Sequence, residues 1–261
     1  MEPLALAVPG GTVSGTFWPA TGTGAADFAV VWVHGFGSFR GGEKAAALRA
    51  ECAARGWAFL SFDFRGHGRS SGKMHELRAG TLLTDLQAVR IFLAGRGVSR
   101  LGLVGSSMGG FASAWFTLAH AESIAGCVFL APAFGFLQRR WDRLTPEERE
   151  QWRLTDRLRF KNEWVETELG YGLVEDRDRF RPNDLAAKWE KPLLIFHGLT
   201  DDIVPVEDSL AFLRNATYPG VELRVFKDGD HRLTAYKDEI AAETCRFFAR
   251  LTTPAPPGDL S

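Results

Sequence analysis

The chain has 261 residues, of which 45% are hydrophobic and 24% charged, the composition of an ordinary soluble globular protein. Its 31 basic and 32 acidic side chains nearly cancel, so we expect no nucleic-acid partner. The first residues lack a signal-peptide pattern, and no apolar run approaches the roughly 18 residues of a membrane span. We therefore predict a cytoplasmic protein without a membrane span, with three reduced thiols at Cys52, Cys127 and Cys245.

The predicted elements alternate between strands and helices. The chain begins with two short strands joined by a Pro-Gly-Gly turn, the pattern of an edge hairpin. Six continuous apolar runs then predict strands buried on both faces: 28–33, 57–64, 101–105, 126–132, 192–198 and 221–226. Helical patterns lie between them at 43–55, 81–94, 107–120 and 206–216. This alternation predicts a mostly parallel sheet flanked by helices, an α/β fold of three layers.

The region 135–190 interrupts the alternation. It holds 12 basic and 13 acidic side chains among its 56 residues. Thr145-Pro146-Glu147-Glu148 predicts a helix start, and 161–168 a further strand or helix. Because the region is short and has few apolar residues, we predict a cap-like insertion within a single domain of residues 1–251. A solvated helical pair that only decorates the fold is the alternative. The Pro-rich segment 252–261 is predicted to be a disordered tail.

A candidate nucleophile lies at the turn after the third apolar run. Gly105-Ser106-Ser107-Met108-Gly109 matches G-x-S-x-G between a predicted strand and a predicted helix. In that context the two glycines let strand and helix pass closely, while a strained backbone exposes the central serine. We predict Ser107 as the nucleophile and expect Ser106 to point away from the pocket. A small-residue packing turn is the alternative.

A serine nucleophile needs a base and an orienting acid, and two further strand ends supply candidates. Asp201 and Asp202 follow the run 192–198, and His231 closes the loop after 221–226. We choose His231 as the base because it follows the candidate acids in chain order. The other histidines are expected to bond loop backbone (His34, His67, His197) or to lie at surfaces or helix ends (His75, His120). Asp201 is preferred as the acid, with Asp202 capping the loop, over Asp228 and Asp230.

The oxyanion of an acyl-transfer intermediate needs two preorganised donors. One is the backbone N–H of Met108, directly after the nucleophile. The other is expected from the loop that follows the run 28–33, with Phe36 between Gly35 and Gly37 as the best candidate. A glycine-rich loop can also hold phosphate, but G-x-G-x-x-G is not completed here. Nucleotide binding is therefore a weak alternative.

These residues together resemble the serine α/β-hydrolases over positions 28–250. The segments that carry the resemblance are HGFGS, DFRGHGRS, GSSMGG, HGLTDDIVP and DGDH. RGGEKAAAL and LVGSSMGG are most similar to the small hydrolases typified by α/β-hydrolase-domain protein ten of animals, a palmitoyl-protein thioesterase and acyl-glucuronide esterase. The resemblance implies the triad Ser107, Asp201 and His231 with oxyanion amides at Phe36 and Met108. The region 135–190 matches only loosely.

We therefore predict a serine hydrolase that cleaves small or acyl-chain carboxylic esters or thioesters without cofactor or metal. Serine at the elbow argues against dehalogenase, epoxide-hydrolase and dienelactone chemistry, and the charged insertion argues against a true lipase. An aminopeptidase or amidase is one alternative, with Glu163, Glu166, Glu168 or Glu175 binding the substrate amine. A non-catalytic ligand-binding protein of the same fold is the other. The sequence leaves the oligomeric state open.

Overall fold

The computed structural model describes residues 1–22, 26–161 and 165–252. The expected edge hairpin consists of β1 (Glu2–Val8) and β2 (Gly11–Trp18), which pair antiparallel around Pro9 and Gly10. Gly10 has a φ of +80°, which the turn requires and which only glycine adopts without strain. Thr252 belongs to the last helix, so the predicted tail is one residue too long at its start. Its remainder, 253–261, lies outside the described residues.

The six predicted runs all form strands, with ends shifted by at most two residues. They are β3 (Phe28–Val33), β4 (Ala58–Phe62), β5 (Arg100–Ser106), β6 (Ile124–Leu130), β9 (Leu193–Gly198) and β10 (Val221–Phe226). The prediction that all six are buried on both faces is wrong for 221–226, an edge strand of which only Phe226 is fully buried. Two further strands, β7 (Leu158–Lys161) and β8 (Glu166–Leu169), pair antiparallel with each other. The large sheet has the order β1-β2-β4-β3-β5-β6-β9-β10. Six of its strands run parallel to one another: β4, β3, β5, β6, β9 and β10. The expected mostly parallel α/β sheet is confirmed.

Helices cover both faces of this sheet. The described elements are α1 (Glu43–Ala54), α2 (Ala79–Ala94), α3 (Met108–Ala119), α4 (Phe136–Asp142), α5 (Pro146–Thr155), α6 (Gly172–Glu175), α7 (Pro182–Ala187), α8 (Val206–Asn215) and α9 (Lys237–Thr252). Short 3₁₀ turns lie at Met74–Glu76, Ala121–Ser123, Arg177–Arg179 and Thr234–Tyr236. One apolar cluster packs α2, α3 and α8 against the sheet, and a second packs α1 and α9 against its other face.

Strand β3 shows why a run in the middle of the sheet is apolar at every position. Ala29, Val31 and Val33 belong to the cluster on the side of α2 and α3. Their neighbours Phe28, Val30 and Trp32 belong to the cluster on the side of α1 and α9. Successive side chains of a strand point to opposite faces, so a strand between two helical layers buries all of them.

The region 135–190 contributes more to the core than its composition suggests. The N-terminus of α5 has the expected capping box, in which Thr145 accepts the Glu148 N–H and Glu148 accepts the Thr145 N–H. Trp152 is buried and donates its Nε1–H to the Leu169 carbonyl at 2.9 Å. Several side chains of the region join the α2/α3 cluster: Trp152, Leu169, Leu173, Val174, Phe180, Leu185 and Trp189. The alternative of a solvated helical pair is therefore wrong.

The two ends of the segment 161–168 belong to the paired strands β7 and β8: Lys161 is the last residue of β7, and β8 begins at Glu166. Residues 162–164 between them lie outside the described part of the chain. Of the two predictions for this segment, a strand or a helix, the described residues at both ends form strands.

The sheet order also predicts where a site forms. The chain goes from β3 to β4 on one side and then returns to place β5 on the other side of β3. Parallel strands open a crevice at their carboxyl ends at such a switch point. The loop after β3 and the turn after β5 both begin there, and the loops after β9 and β10 leave the same edge of the sheet.

Candidate active site

Ser107 occupies a strained turn between β5 and α3. Its φ of 53° and ψ of −115° lie outside the regions that non-glycine residues ordinarily adopt. Glycines on both sides make the turn possible. A Cβ on Gly105 would lie 2.5 Å from the Gly109 carbonyl oxygen, and one on Gly109 would lie 2.1 Å from the Val33 carbonyl oxygen. Close backbone contacts thus require the two glycines of G-x-S-x-G.

Three of the predicted residues lie in one hydrogen-bonded chain. His231 Nε2 is 3.1 Å from Ser107 Oγ, and His231 Nδ1 is 2.8 Å from Asp201 Oδ2. The carboxylate only accepts, so the imidazole proton lies on Nδ1 and Nε2 accepts the serine O–H. Ser107, Asp201 and His231 follow the ends of β5, β9 and β10. Ser107 and Asp201 are more than 90 residues apart in the chain, and Asp201 and His231 are 30 apart.

Asp201 is buried and has four hydrogen-bond donors around its two oxygens. Oδ1 accepts the backbone N–H groups of Ile203 (2.9 Å) and Val204 (2.8 Å), while Oδ2 accepts from His231. Burial raises the pKa of this carboxyl, but the bonds from His197, His231 and Val204 outweigh burial and hold the pKa well below its usual range. Asp201 therefore caps its own loop. Asp202 was expected to cap this loop, but among the described residues its exposed side chain makes no hydrogen bond, and the loop amides bind Asp201 instead.

His197 is a second histidine on Asp201 that the sequence analysis did not identify. Its Nε2 lies 2.9 Å from the Val204 carbonyl and 3.2 Å from Asp201 Oδ2. Both are acceptors, so Nε2 carries the proton, and Nδ1 accepts the Ser209 hydroxyl at 2.8 Å. The bond to loop backbone was expected, but the contact with the carboxylate was not. The one sequence signal is that His197 and Asp201 are four residues apart around a strand end.

The loop after β3 carries Phe36 and is held by two buried histidines. His34 Nδ1–H donates to the Gly35 carbonyl (2.8 Å), and its Nε2 accepts the Phe64 N–H (3.0 Å). His67 Nε2 accepts the Gly37 N–H at 3.1 Å. Burial and the neighbouring His67 lower the pKa of His34 to about 3, so this imidazole is neutral. Both rings thus bond loop backbone, as expected.

Met108 directly follows Ser107 in the chain, and Phe36 follows Gly35 in the loop after β3. A Cβ on Gly35 would lie 3.3 Å from the Ser107 Cβ, so the loop passes directly beside the serine. Met108 is the first residue of α3. Within residues 1–22, 26–161 and 165–252, neither the Phe36 nor the Met108 backbone N–H donates a hydrogen bond to another protein group. Both donors are therefore unpaired.

A cavity of about 250 Å³ opens beside these groups. Its walls include Ser107 and His231, the loop from Gly35 to Phe39, Lys44 and Val165. Ser106 also lines it and accepts a hydrogen bond from Lys44, so the expectation that Ser106 points away is wrong. The ring of Phe160 on β7 lies 5.4 Å from the ring of Phe36, so the insertion packs on the same loop.

The alternative acids have other partners. Asp228 accepts the Tyr236 hydroxyl, and Asp230 accepts the Leu233 N–H at 2.8 Å. The cap glutamates are exposed and form ion pairs with basic side chains: Glu166 with Arg159 and Lys161, Glu168 with Arg157, and Glu175 with Arg78. Glu163 lies outside the described residues.

A larger cavity of about 510 Å³ lies between α4, α7 and α8, and the triad residues do not line it. In the part of the chain that the structure describes, no group of three His, Cys, Asp or Glu side chains is arranged to hold a metal ion. No helix among those residues is long and apolar enough to cross a membrane.

Comparisons with known proteins agree with this architecture. A sequence profile of the α/β hydrolase fold matches residues 29–187, more than half of the chain. Palmitoyl-protein thioesterase ABHD10, mitochondrial, of Mus musculus is 26% identical over 219 residues, which cover 80% of this chain and 70% of that protein. The resemblance to this group is thereby confirmed.

Two solved structures are similar over nearly the whole chain. Alpha/beta hydrolase domain-containing protein 10 from mouse has a TM-score of 0.79 at 21% identity, covering 96% of this chain and 98% of its own. Est1E from Butyrivibrio proteoclasticus, with ferulic acid bound, has a TM-score of 0.83 at 22% identity, covering 95% and 98%. These likenesses concern the fold. The profile match establishes that the chain belongs to the family of the α/β hydrolase fold, and the thioesterase names of its curated relatives support a hydrolase enzyme.

Proposed function

We propose that this protein is a serine hydrolase that cleaves carboxylic esters or thioesters through an acyl-enzyme. Ser107 is the nucleophile, His231 the general base and acid, and Asp201 the orienting carboxylate. The observation that carries the proposal is the hydrogen-bonded chain of these three groups, with distances of 3.1 and 2.8 Å, at the wall of a cavity. Both distances lie within the range that triads of this kind use.

Acylation begins with the Ser107 hydroxyl bonded to His231 Nε2. Ser107 Oγ forms a bond to the acyl carbon while its proton moves to Nε2, and the carbonyl electron pair moves to the oxygen. The imidazolium is stabilised by the Asp201 carboxylate, whose low pKa keeps it charged throughout. The carbon–leaving-group bond then breaks, and Nε2 returns the proton to the leaving alcohol or thiol.

The tetrahedral oxyanion is bound by the N–H groups of Phe36 and Met108. Their lack of another acceptor and the short approach of the Gly35 loop to Ser107 support this role. One such donor typically contributes about 10²–10³ in kcat. Neutral His34 and His67 hold the loop in place, so the donors need no rearrangement during the reaction.

Deacylation repeats these steps with water as the nucleophile. His231 Nε2 takes a proton from water, the water oxygen bonds to the acyl carbon, and the same two N–H groups bind the oxyanion. Breakdown releases the carboxylic acid and returns the proton to Ser107 Oγ. No external cofactor enters either half of the reaction.

Ester and thioester substrates are favoured over peptides. The three described cap glutamates are held in surface ion pairs, which leaves them poorly placed to bind a substrate amine. The names of the curated relatives, palmitoyl-protein thioesterases, favour the same choice. A binding protein without turnover is disfavoured because the hydrogen-bonded chain has all its members.

We also propose that residues 1–251 form one domain in which 135–190 is the cap. The buried cap side chains pack in the same apolar cluster as α2 and α3, which supports a common core. A cytoplasmic location remains a proposal that rests on three free, buried cysteines. The curated relatives carry the word mitochondrial in their names, so fractionation of the tagged protein is the relevant measurement.

The test is the mass of the intact protein after brief exposure to a fluorophosphonate. We expect one adduct on wild type, mapped by peptide digestion to Ser107 and not Ser106, and none on Ser107→Ala. Ser107→Ala should also lower kcat for p-nitrophenyl acetate by about 10⁴ or more, whereas Ser99→Ala, far from the cavity, should not. A folded wild type without adduct would sink the proposal and bring the binding-protein alternative forward. Competition among p-nitrophenyl acetate, a palmitoyl thioester and an aminoacyl anilide then separates the substrate classes.

A further inference from the structure

One cationic side chain at the cavity has no part in the steps above. Lys44 lies in the first turn of α1, and its ammonium group lines the same cavity as Ser107 and His231. Lys44 Nζ donates to the backbone carbonyl of Arg232 at 2.5 Å and to Ser106 Oγ at 3.4 Å. The side chain is half-buried and its stem lies among apolar groups that include Trp32 and Leu48.

Both acceptors are chain neighbours of reacting residues. Ser106 directly precedes Ser107, and Arg232 directly follows His231. The two segments come from different strand ends and meet at the 3.1 Å contact between Ser107 Oγ and His231 Nε2. A donor that binds both segments at once limits how far that contact can open. This matters because misplacement of a catalytic group by about 1 Å costs on the order of 10² in rate.

We propose that Lys44 is a positioning residue that holds the histidine loop against the nucleophile turn. The inference rests on the proposed triad function and adds a residue to it. Lysine suits the role because its ammonium group has three donors and no acceptor, so it can bind a carbonyl and a hydroxyl together. A third N–H is left over at the wall of the cavity.

The charges around Lys44 make its protonation dependent on pH near neutrality. Burial lowers the pKa of the Lys44 ammonium to about 8, with the Arg232 guanidinium acting in the same direction and Asp230 opposing it. Lys237 at the start of α9 faces Glu43, which precedes Lys44 on α1, at 3.9 Å. When Lys44 loses its proton, two weaker neutral donors remain. The bridge between the two segments should then loosen.

A substrate-binding role would have a different kinetic signature. If the third N–H of Lys44 binds the substrate ground state, removal of the ammonium raises KM. If Lys44 positions Ser107 and His231, removal lowers kcat and slows modification of Ser107 by a fluorophosphonate, while KM for a neutral ester changes little.

The experiment compares Lys44→Met, Lys44→Arg and the control Lys237→Met, which removes a nearby lysine that lies outside the cavity with Ser107. The assays are hydrolysis of p-nitrophenyl acetate from pH 6 to 9.5, the rate of fluorophosphonate labelling, and thermal unfolding. We expect Lys44→Met to lower kcat by about 10- to 100-fold and the labelling rate in parallel, with KM within twofold. Lys44→Arg should recover most of kcat, and Lys237→Met should match wild type.

The pH profile gives an independent readout. Wild-type kcat should decline above about pH 8, and this decline should be absent from Lys44→Met and from Lys44→Arg. A folded Lys44→Met with wild-type kcat and labelling rate, or with a change in KM alone, would overturn the positioning role. Failure of the triad proposal is distinguishable, because wild type itself would then show no adduct at Ser107.

Discussion

Asp201→Asn tests the geometry of the triad acid most directly. In the structure, four N–H donors converge on the two carboxylate oxygens: two backbone groups on Oδ1, and two imidazoles, His231 and His197, on Oδ2. An asparagine has the same shape but replaces one oxygen by an NH₂ group. Whichever way the amide turns, two N–H donors then face its nitrogen.

The two orientations fail for different reasons. With the amide nitrogen toward the loop, the N–H groups of Ile203 and Val204 lose their acceptor, which costs about 1–3 kcal/mol per buried group. With the nitrogen toward His231, the imidazole must accept at Nδ1 and carry its proton on Nε2, where it no longer accepts the Ser107 proton. The imidazolium loses its counter-charge in both cases. We expect kcat to fall by about 10⁴, equivalent to about 5.4 kcal/mol in the barrier.

The assay is the steady-state hydrolysis of p-nitrophenyl acetate together with urea unfolding at pH 7. Asp202→Asn is the matched control, because it makes the same chemical change at the exposed neighbouring residue. Asp202→Asn should leave kcat within a small factor of wild type and the free energy of unfolding nearly unchanged. A folded Asp201→Asn with kcat within tenfold of wild type, or equal losses in both variants, would refute the assignment of Asp201.

Three further predictions concern other parts of the site. The pKa of His34 is lowered to about 3, so as pH falls below about 6.5 the unfolded state binds this proton before the folded state does, and stability is lost. His34→Gln should therefore reduce the slope of the unfolding free energy against pH, measured by urea unfolding between pH 6 and 4, by up to about 1.4 kcal/mol per pH unit. Gly109→Ala should destabilise by about 3 kcal/mol because its Cβ meets the Val33 carbonyl, whereas Gly80→Ala, with open space around it, should be neutral or stabilising. The cavity of about 250 Å³ is below the usual size for large ligands, so kcat/KM should be higher for acetyl and butyryl than for palmitoyl p-nitrophenyl esters, and the reverse order would contradict this.

The sequence alone was sufficient for features that depend on neighbouring residues. Continuous apolar runs indicated strands covered on both faces, and β3 shows the reason in its alternation between two apolar clusters. Glycines at 105 and 109 around Ser107 indicated the strained turn, because their requirement comes from backbone contacts within that turn and with the adjacent strand. Chain order and strand ends were then enough to choose Asp201 and His231, which the structure brings together.

Other features depend on contacts between segments that are distant in the chain, and only the tertiary structure determined them. Asp201 rather than Asp202 binds the loop amides, because the fold brings N–H donors from different segments around the Asp201 carboxylate. Ser106 lines the cavity and accepts a hydrogen bond from Lys44, 62 residues away in the chain. The cap packs into the core through scattered aromatic residues that have no simple period. Local patterns report which backbone conformations and faces are favourable, whereas the partner of a given polar atom is decided by how the whole chain packs.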